Sequence, residues 1–525
     1  MLFFQLEKVI MLRNANVGRL FVCLCLLSLF VDNCMAREER VVLPRYEIAY
    51  ATYLGGTGNE QLREVIPYED GSVLVGGQTN SADLPVTDGV VQPKYGGEPP
   101  GKGHPGIYGG DCFLTRISAD GSRIIFATYL GGSRQERNVY GMALDRKGNI
   151  LITSMSRSAD LPTTKGVFQD KYGGGPSDWM VAKLSPGFRR LMWCTYIGGS
   201  GDDSPRGGLA IDGQDNVYIV GGTASPDFPT TSGVFQRERK GKRDAAIVKL
   251  RPDGSGIVFS TLLGGNDWDG IMGVSVDALG GIHVAGHTQS ADFPLTPVAP
   301  QAEYGGKSDC FLAGFSPDAK RLLYSTYLGG RENEFAEHKL SLSPTGKLLL
   351  TGVTASDYFP TTQGAFQRSL KGQTDGFLTK LSADRQKFEF STFLGGSGGE
   401  FYLMPTLDKK GNIFVVGHTD SRDFPATENA LQKEYRGGRG DGVLSVFSTE
   451  GSKLLYATYL GGQGADLIRS LALGPRGEVY LVGSTTSKDF PVTANAVQPE
   501  LRGKSDAFVV KLVSKSTEAL SGSPH

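Results

Sequence analysis

Seven acidic residues occupy equivalent places along the chain: Glu60, Glu136, Asp203, Asp269, Glu334, Glu400 and Asp466. Each is the fourth residue after a Gly-Gly pair. Such a carboxylate can accept backbone N–H groups or pair with a local arginine. Arg63, Arg206 and Arg469, three residues on in three of the units, suit that role. Alternatively the seven form an acidic ring whose negative potential favours a cation or a basic group. Direct Ca²⁺ chelation fits poorly, because six or more oxygens must converge at ~2.3–2.6 Å and a ring holds its carboxylates apart. Presence in every unit favours the structural role, since one ligand site rarely needs seven copies.

The residues that break the repetition are better candidates for a site. Trp268 precedes Asp269, Phe335 follows Glu334, and Phe401-Tyr402 follow Glu400. Aromatic rings beside carboxylates suit a sugar, with a ring against its apolar face, or a basic peptide through cation–π contact and ion pairing. The structural alternative is that these rings plug a channel. Signals for catalysis are weak. Gly395-Gly396-Ser397-Gly398-Gly399 matches Gly-x-Ser-x-Gly but does not enter a helix, so the nucleophile-elbow context is missing. Gly306-Lys307-Ser308 and Gly503-Lys504-Ser505 lack the first glycine of a P-loop. His287 and His418 share a slot that Gly222, Val353 and Ser484 fill elsewhere, which reads as a variable polar position and not as a metal pair. His104 stands alone in an insertion. No metal site, catalytic set or cofactor is expected.

The element behind these residues is the phrase Ala-Thr-Tyr-Leu-Gly-Gly, which recurs seven times with small variations. Counted from its threonine (Thr52 first), the steps are 76, 67, 66, 65, 66 and 66 residues. So regular a period fixes the architecture before any local reading. Within the third unit, Leu209–Ile211, Val217–Val220, Ala245–Leu250 and Ile257–Leu263 are short apolar, β-branched runs separated by turn residues. They read as four antiparallel strands, A to D, with the phrase ending strand D. A four-stranded sheet repeated around an axis is a propeller blade. The long B–C connection carries Thr-x-Ser-x-Asp-Phe-Pro and then Thr-x-x-Gly-Ala-Phe-Gln, whose second half reads as one helical turn capped by threonine. An invariant Gln (Gln92 to Gln498) closes it, and an Asp (Asp111 to Asp506) opens strand C in all seven units.

The chain opens on a lone D strand, Tyr46–Leu54, and closes on A, B and C strands with no D after them. Pairing the two ends completes a seventh blade and leaves no open sheet edge. Thr-Tyr-Leu-Gly-Gly, Gly-Asn-Val-Tyr-Ile-Val-Gly-type hairpins, Asp-Phe-Pro-Thr-Thr and Asp-Ala-Phe-Val-Val-Lys-Leu resemble the seven-bladed bacterial β-propeller repeat, SBBP, over residues 46–513. The resemblance implies an all-β, seven-bladed propeller, exported or surface-associated, with no catalytic motif to carry over. Leu84 and Leu161 depart from the pattern in place of Phe, Tyr358 stands in an Asp slot, and residues 98–110 form an insertion.

Residues 1–36 read as a signal peptide: Arg13 and Arg19, a 12-residue apolar run from Leu20 to Val31, and a small residue at Ala36. Either Met1 or Met11 could start it. Residues 37–45 form a short lead-in and 514–525 a disordered tail. No transmembrane segment is expected after cleavage. Three of the six cysteines fall in the leader, and Cys112, Cys194 and Cys310 read as small buried apolar residues. Net charge is −1 over 525 residues, so no basic field for nucleic acid exists. The expected function is an exported, non-catalytic binding scaffold. Its partner is a carbohydrate or protein met on the face that bears the D–A crossovers. The alternatives are a lyase, lactonase or glycosidase working at the acidic mouth, and a structural component of the envelope.

Overall fold

The computed structural model describes residues 43–98 and 109–515. The leader at 1–36, most of the lead-in and of the tail, and most of the 98–110 insertion with His104 lie outside the described residues. Seven antiparallel sheets are arranged as blades, each in the order A-B-C-D. Blade one is Glu60–Pro67, Val73–Thr79, Asp111–Ile117 and Ile124–Leu130. Blade seven is Asp466–Leu473, Val479–Thr485, Asp506–Ser514 and the N-terminal Tyr46–Leu54. That last strand pairs with strand C in antiparallel register, Leu54 opposite Ala507 and Tyr46 opposite Ser514, and closes the ring. Among the described residues no helix is long and apolar enough to cross a membrane.

Strands buried on both faces need apolar neighbours on both sides, which explains their nearly continuous apolar character. The core is accordingly split into seven hydrophobic clusters, one between each pair of neighbouring blades. The closing interface packs Leu54 and Val509 of blade seven against Leu62 and Val75 of blade one. Cys112, Cys194 and Cys310 are free and buried within these layers.

Two local expectations are corrected. The second half of the B–C connection is not helical. It forms a single tight turn, as where the Ala365 N–H donates to the Thr362 carbonyl at 3.2 Å. The threonine hydroxyl does not cap a helix; it accepts the Ser391 N–H of strand D at 3.0 Å and ties the loop to the sheet. The seven acids, in turn, do not lie in the D–A crossover. Each is the first residue of strand A, held there by pairing with the last residue of strand B, as Glu60 with Thr79.

Candidate functional site

Each Gly-Gly pair lies at a polar node that joins the glutamine and strand C aspartate of its own blade to the strand A acid of the next. The first glycine N–H donates to the invariant glutamine, as Gly131 to Gln92 Oε1 at 2.9 Å. The second donates to the strand A acid, as Gly132 to Glu136 Oε2 at 2.9 Å. That acid also accepts hydroxyls from the end of strand B: Glu60 takes Thr79 Oγ1 at 2.6 Å and Ser81 Oγ at 2.5 Å. The glutamine amide donates to the strand C aspartate, as Gln236 to Asp244 at 2.6 Å. A side chain on the first glycine would collide with this node: a Cβ on Gly55 would lie 2.4 Å from Glu60 Oε2 and 2.7 Å from Asp506.

Glu60, Glu136, Asp203, Asp269, Glu334, Glu400 and Asp466 are all fully buried. Burial pushes the carboxyls of Glu60, Glu136 and Glu400 up to about 7 and that of Asp269 to about 6. They are held in these nodes between blades, a placement that fits the structural role favoured by their sevenfold recurrence and not the alternative of an acidic ring exposed at a channel mouth. Ser397, the serine of Gly-x-Ser-x-Gly, donates to Asp423 at 2.8 Å in the neighbouring loop and is likewise part of the frame.

The aromatic arc does assemble. Trp268, Phe335, Phe401 and Tyr402, from three consecutive blades, line one cavity of about 550 Å³ at the inner strands. Phe335 and Phe401 are 41% and 38% exposed. Trp268 folds over Gly270, whose missing side chain makes room for the indole: a Cβ there would lie 2.9 Å from it. His287 stacks on Trp268 at 4.7 Å between ring centroids and meets Phe335 edge-on at 5.4 Å. His418 stacks on Phe401 at 5.1 Å. Burial holds both imidazoles neutral, with pKa values pushed down to about 3. The shared histidine slot pairs across the sheet with the residue after the acid, His287 with Gly270 and His418 with Phe401. That register explains why histidine recurs beneath aromatics.

Bulges shape the floor. Every unbroken strand A shifts register shortly after its acid, and an irregular inner strand aims side chains at the axis. Arg63 sits at the shift between Leu62 and Glu64, and Arg469 at that between Ile468 and Ser470. Blade five bulges over Glu337 to Lys339, and blade six over Tyr402-Leu403, where Tyr402 adopts φ 58°. In blade three strand A breaks into Asp203–Ser204 and Leu209–Ile211, and Arg206 lies in the gap. Arg63, Arg206 and Arg469 therefore do not pair with the acids three residues before them. They converge with Glu337 and His338 in the channel, where all three guanidinium charges act on both groups. Arg469 lies over the Tyr402 ring at 3.5 Å and Arg63 over Tyr140 at 5.1 Å.

His338 donates its Nδ1–H to the Arg206 carbonyl at 2.6 Å, which fixes the neutral tautomer with Nε2 as acceptor. Burial pushes Glu337 up to about 7, although Arg469, Arg63 and Arg206 pull it down. Arg206, Glu337 and His338 line the aromatic cavity itself. Among the described residues no group of three or more His, Cys, Asp or Glu is placed to hold a metal ion.

The SBBP beta-propeller repeat matches residues 125–162, which run from strand D of blade one into the B–C connection of blade two. No curated protein matches the chain. Among solved structures, a protein of unknown function from Dyadobacter fermentans aligns at 11% identity and TM-score 0.39, covering 90% of this chain and 100% of its own. A europium-containing methanol dehydrogenase aligns at 11% identity and TM-score 0.38, covering 89% and 93%. A quinohemoprotein alcohol dehydrogenase from Comamonas testosteroni aligns at 10% identity and TM-score 0.34, covering 89% and 76%. At these scores the dehydrogenases' chemistry stays with those proteins.

Proposed function

We propose that the protein is an exported, non-catalytic binding scaffold whose ligand enters the cleft walled by Trp268, Phe335, Phe401 and Tyr402. The carrying observation is that four aromatic side chains from three blades share one cavity of about 550 Å³. That volume falls in the ordinary range of small-molecule sites, roughly 300–1,000 Å³. Half-exposed Phe335 and Phe401 offer flat apolar faces, which suit a sugar ring. The basic-peptide alternative loses its ionic half, because Asp269, Glu334 and Glu400 are buried in the blades. The same burial removes the acidic mouth that a lyase, lactonase or glycosidase reading required. Export is supported by the pattern of residues 1–36 alone.

The test is a thermal-shift and tryptophan-fluorescence screen of mono- and disaccharides on the full chain, repeated on Trp268→Ala and Phe335→Ala. Ligands that shift the native protein should lose their effect in both variants, while the melting temperature without ligand stays close to native. A ligand whose binding ignores both substitutions would place the site elsewhere.

A further inference from the structure

The channel beside the cleft gathers more arginine charge than its carboxylates neutralise: Arg206 lines the cleft, and Arg63 and Arg469 lie behind that lining, reaching it through Glu337, His338 and Tyr402. Arg63 and Arg469 are only 5% and 4% exposed, and Arg63 Nη2 and Arg469 Nε are buried without a hydrogen-bond partner. Buried guanidinium groups left unpaired are costly, and each normally finds a carboxylate or phosphate. Here three converge on Glu337, and the one further carboxylate nearby, Glu64, is shared between Arg63 and Lys339, so the cations outnumber the carboxylates. Glu337 meets His338 within ion-pair reach, at 3.9 Å, and it accepts the Tyr402 N–H. His338 is neutral, so it supplies no balancing charge of either sign. Lys339 adds a further cation lower in the channel, donating to Ser470 Oγ at 2.8 Å. The arginines also stand against each other: burial first, and then the charges of Arg469 and Arg206, pull the Arg63 pKa down to about 9.

We propose that the ligand is an anion, a carboxylate carried on a six-membered ring, and specifically a sugar acid. It would enter with its ring between Trp268 and Phe401 and its carboxylate directed at Arg206, Arg469 and Arg63. This rests on the reading of the aromatic cleft as the binding site and adds the sign of the ligand's charge. The geometry favours it on two counts. The aromatic wall and the arginine cluster meet at single residues: Tyr402 lines the cleft and carries Arg469 on its ring, and Arg206 lines the cleft itself. The unpartnered donors supply what a carboxylate accepts, since a guanidinium fork matches carboxylate geometry. The sequence could not show this, because the three arginines read as partners of the strand A acids until the bulges placed them at the axis.

The experiment titrates the full chain with D-glucuronate, D-glucose, benzoate and inorganic phosphate, reading Trp268 fluorescence, with Trp268→Phe as the blank. D-glucuronate should bind at least about tenfold tighter than D-glucose, the scale of a charge-assisted hydrogen bond. Its affinity should fall with added salt. Arg469→Gln and Arg206→Gln should each erase that advantage, and Arg469→Lys should restore part of it. Because Arg469→Gln removes one of three like charges, its melting temperature should hold or rise, so weaker binding cannot be put down to unfolding. Equal binding of glucose and glucuronate, lost in Phe335→Ala, would overturn the anion proposal and keep the cleft. Binding of no probe, or binding untouched by Phe335→Ala, would overturn both. Phosphate binding as tightly as glucuronate would overturn the ring-bearing class, and tighter binding of benzoate would overturn the sugar acid.

Discussion

Strand A holds two unlike regions within a few residues. Its first residue is acidic in all seven blades, fully buried, and held by hydroxyls and the same glycine N–H each time. The next residues differ from blade to blade: Gln61 and Arg63, Met272, Glu337 and His338, Phe401 and Tyr402, Arg469. The first region accounts for backbone groups that a tight strand-to-strand crossover would otherwise orphan. The second faces the axis, where the seven blades meet and symmetry has no structural task. Repetition therefore marks the frame, and departure from repetition marks the cleft.

The comparison breaks most severely if the ring opens. Deleting Tyr46–Leu54 removes strand D of blade seven and exposes strand C as an edge. It also strips Leu54 and Ala51 from two of the interblade clusters. Denaturant unfolding should lose its cooperativity, or the protein should aggregate. A truncated chain that unfolds like the native one would refute closure by this strand.

A single node comes next. Glu136→Ala leaves the Gly132 N–H and the Ser156 hydroxyl without their acceptor in a buried site. At about 1–3 kcal/mol for each buried group left unsatisfied, the loss should be roughly 3 kcal/mol, seen as a lower denaturant midpoint. An unchanged midpoint would mean that the repeated acids are dispensable to the frame.

How much of this was legible follows the same division. The period, the strand order and the closing strand could be read because each depends on local pattern repeated seven times. The arc of Trp268, Phe335, Phe401 and Tyr402 could be read as the place where the pattern fails. The destination of Arg63, Arg206 and Arg469 could not, because a bulge is a property of register between strands and leaves little trace in one strand's composition. The partnership of His287 with Trp268 was hidden for a related reason: the two residues belong to different strands and meet only through the cross-strand pair of His287 with Gly270. The burial of the acids was half visible. Sevenfold recurrence favoured it, but only the hydroxyls of residues such as Thr79 and Ser81 show how a carboxylate is accommodated there.

Acidity separates the two regions by sign. At each junction of two blades, the strand A acid of one blade crowds the strand C aspartate of the blade before it. Burial, with that neighbour's charge adding, raises Asp111 to about 8, and Asp178, Asp309 and Asp441 to about 7. A carboxyl whose folded pKa is raised contributes stability that is fully present below its unfolded value and lost as pH rises through the folded one. The nodes should therefore strengthen between about pH 8 and 5. His287 and His418, held near 3, act oppositely: their contribution is present above 6.5 and is lost as pH falls. The carboxyls outnumber the histidines, so the melting temperature should rise on mild acidification. Below about 4, turn aspartates such as Asp120 and Asp145, held near 2, reverse the trend. A melting temperature that falls steadily from pH 8 to 5 would show that the mouth, and not the frame, governs stability.

The smallest expected change in stability belongs to Phe401→Ala, and it sharpens the comparison most. Phe401 is 38% exposed and rests on His418 at 5.1 Å. Removing a half-exposed ring that fills no core cluster should cost under about 1 kcal/mol. Its effect on His418 should be large. The imidazole stays neutral because burial excludes water, and Arg469 adds repulsion. With the ring gone, water reaches one face and the histidine pKa should climb from about 3 toward its ordinary value. Histidine titration by NMR reads this directly, and His287, shielded by Trp268 in the neighbouring part of the arc, serves as the internal control. A large pKa shift with an unchanged melting temperature would identify Phe401 as a wall of an open cleft. An unmoved His418 together with a collapsed melting temperature would make Phe401 part of the frame, and the division between repeated and unrepeated residues would fail at its most exposed point.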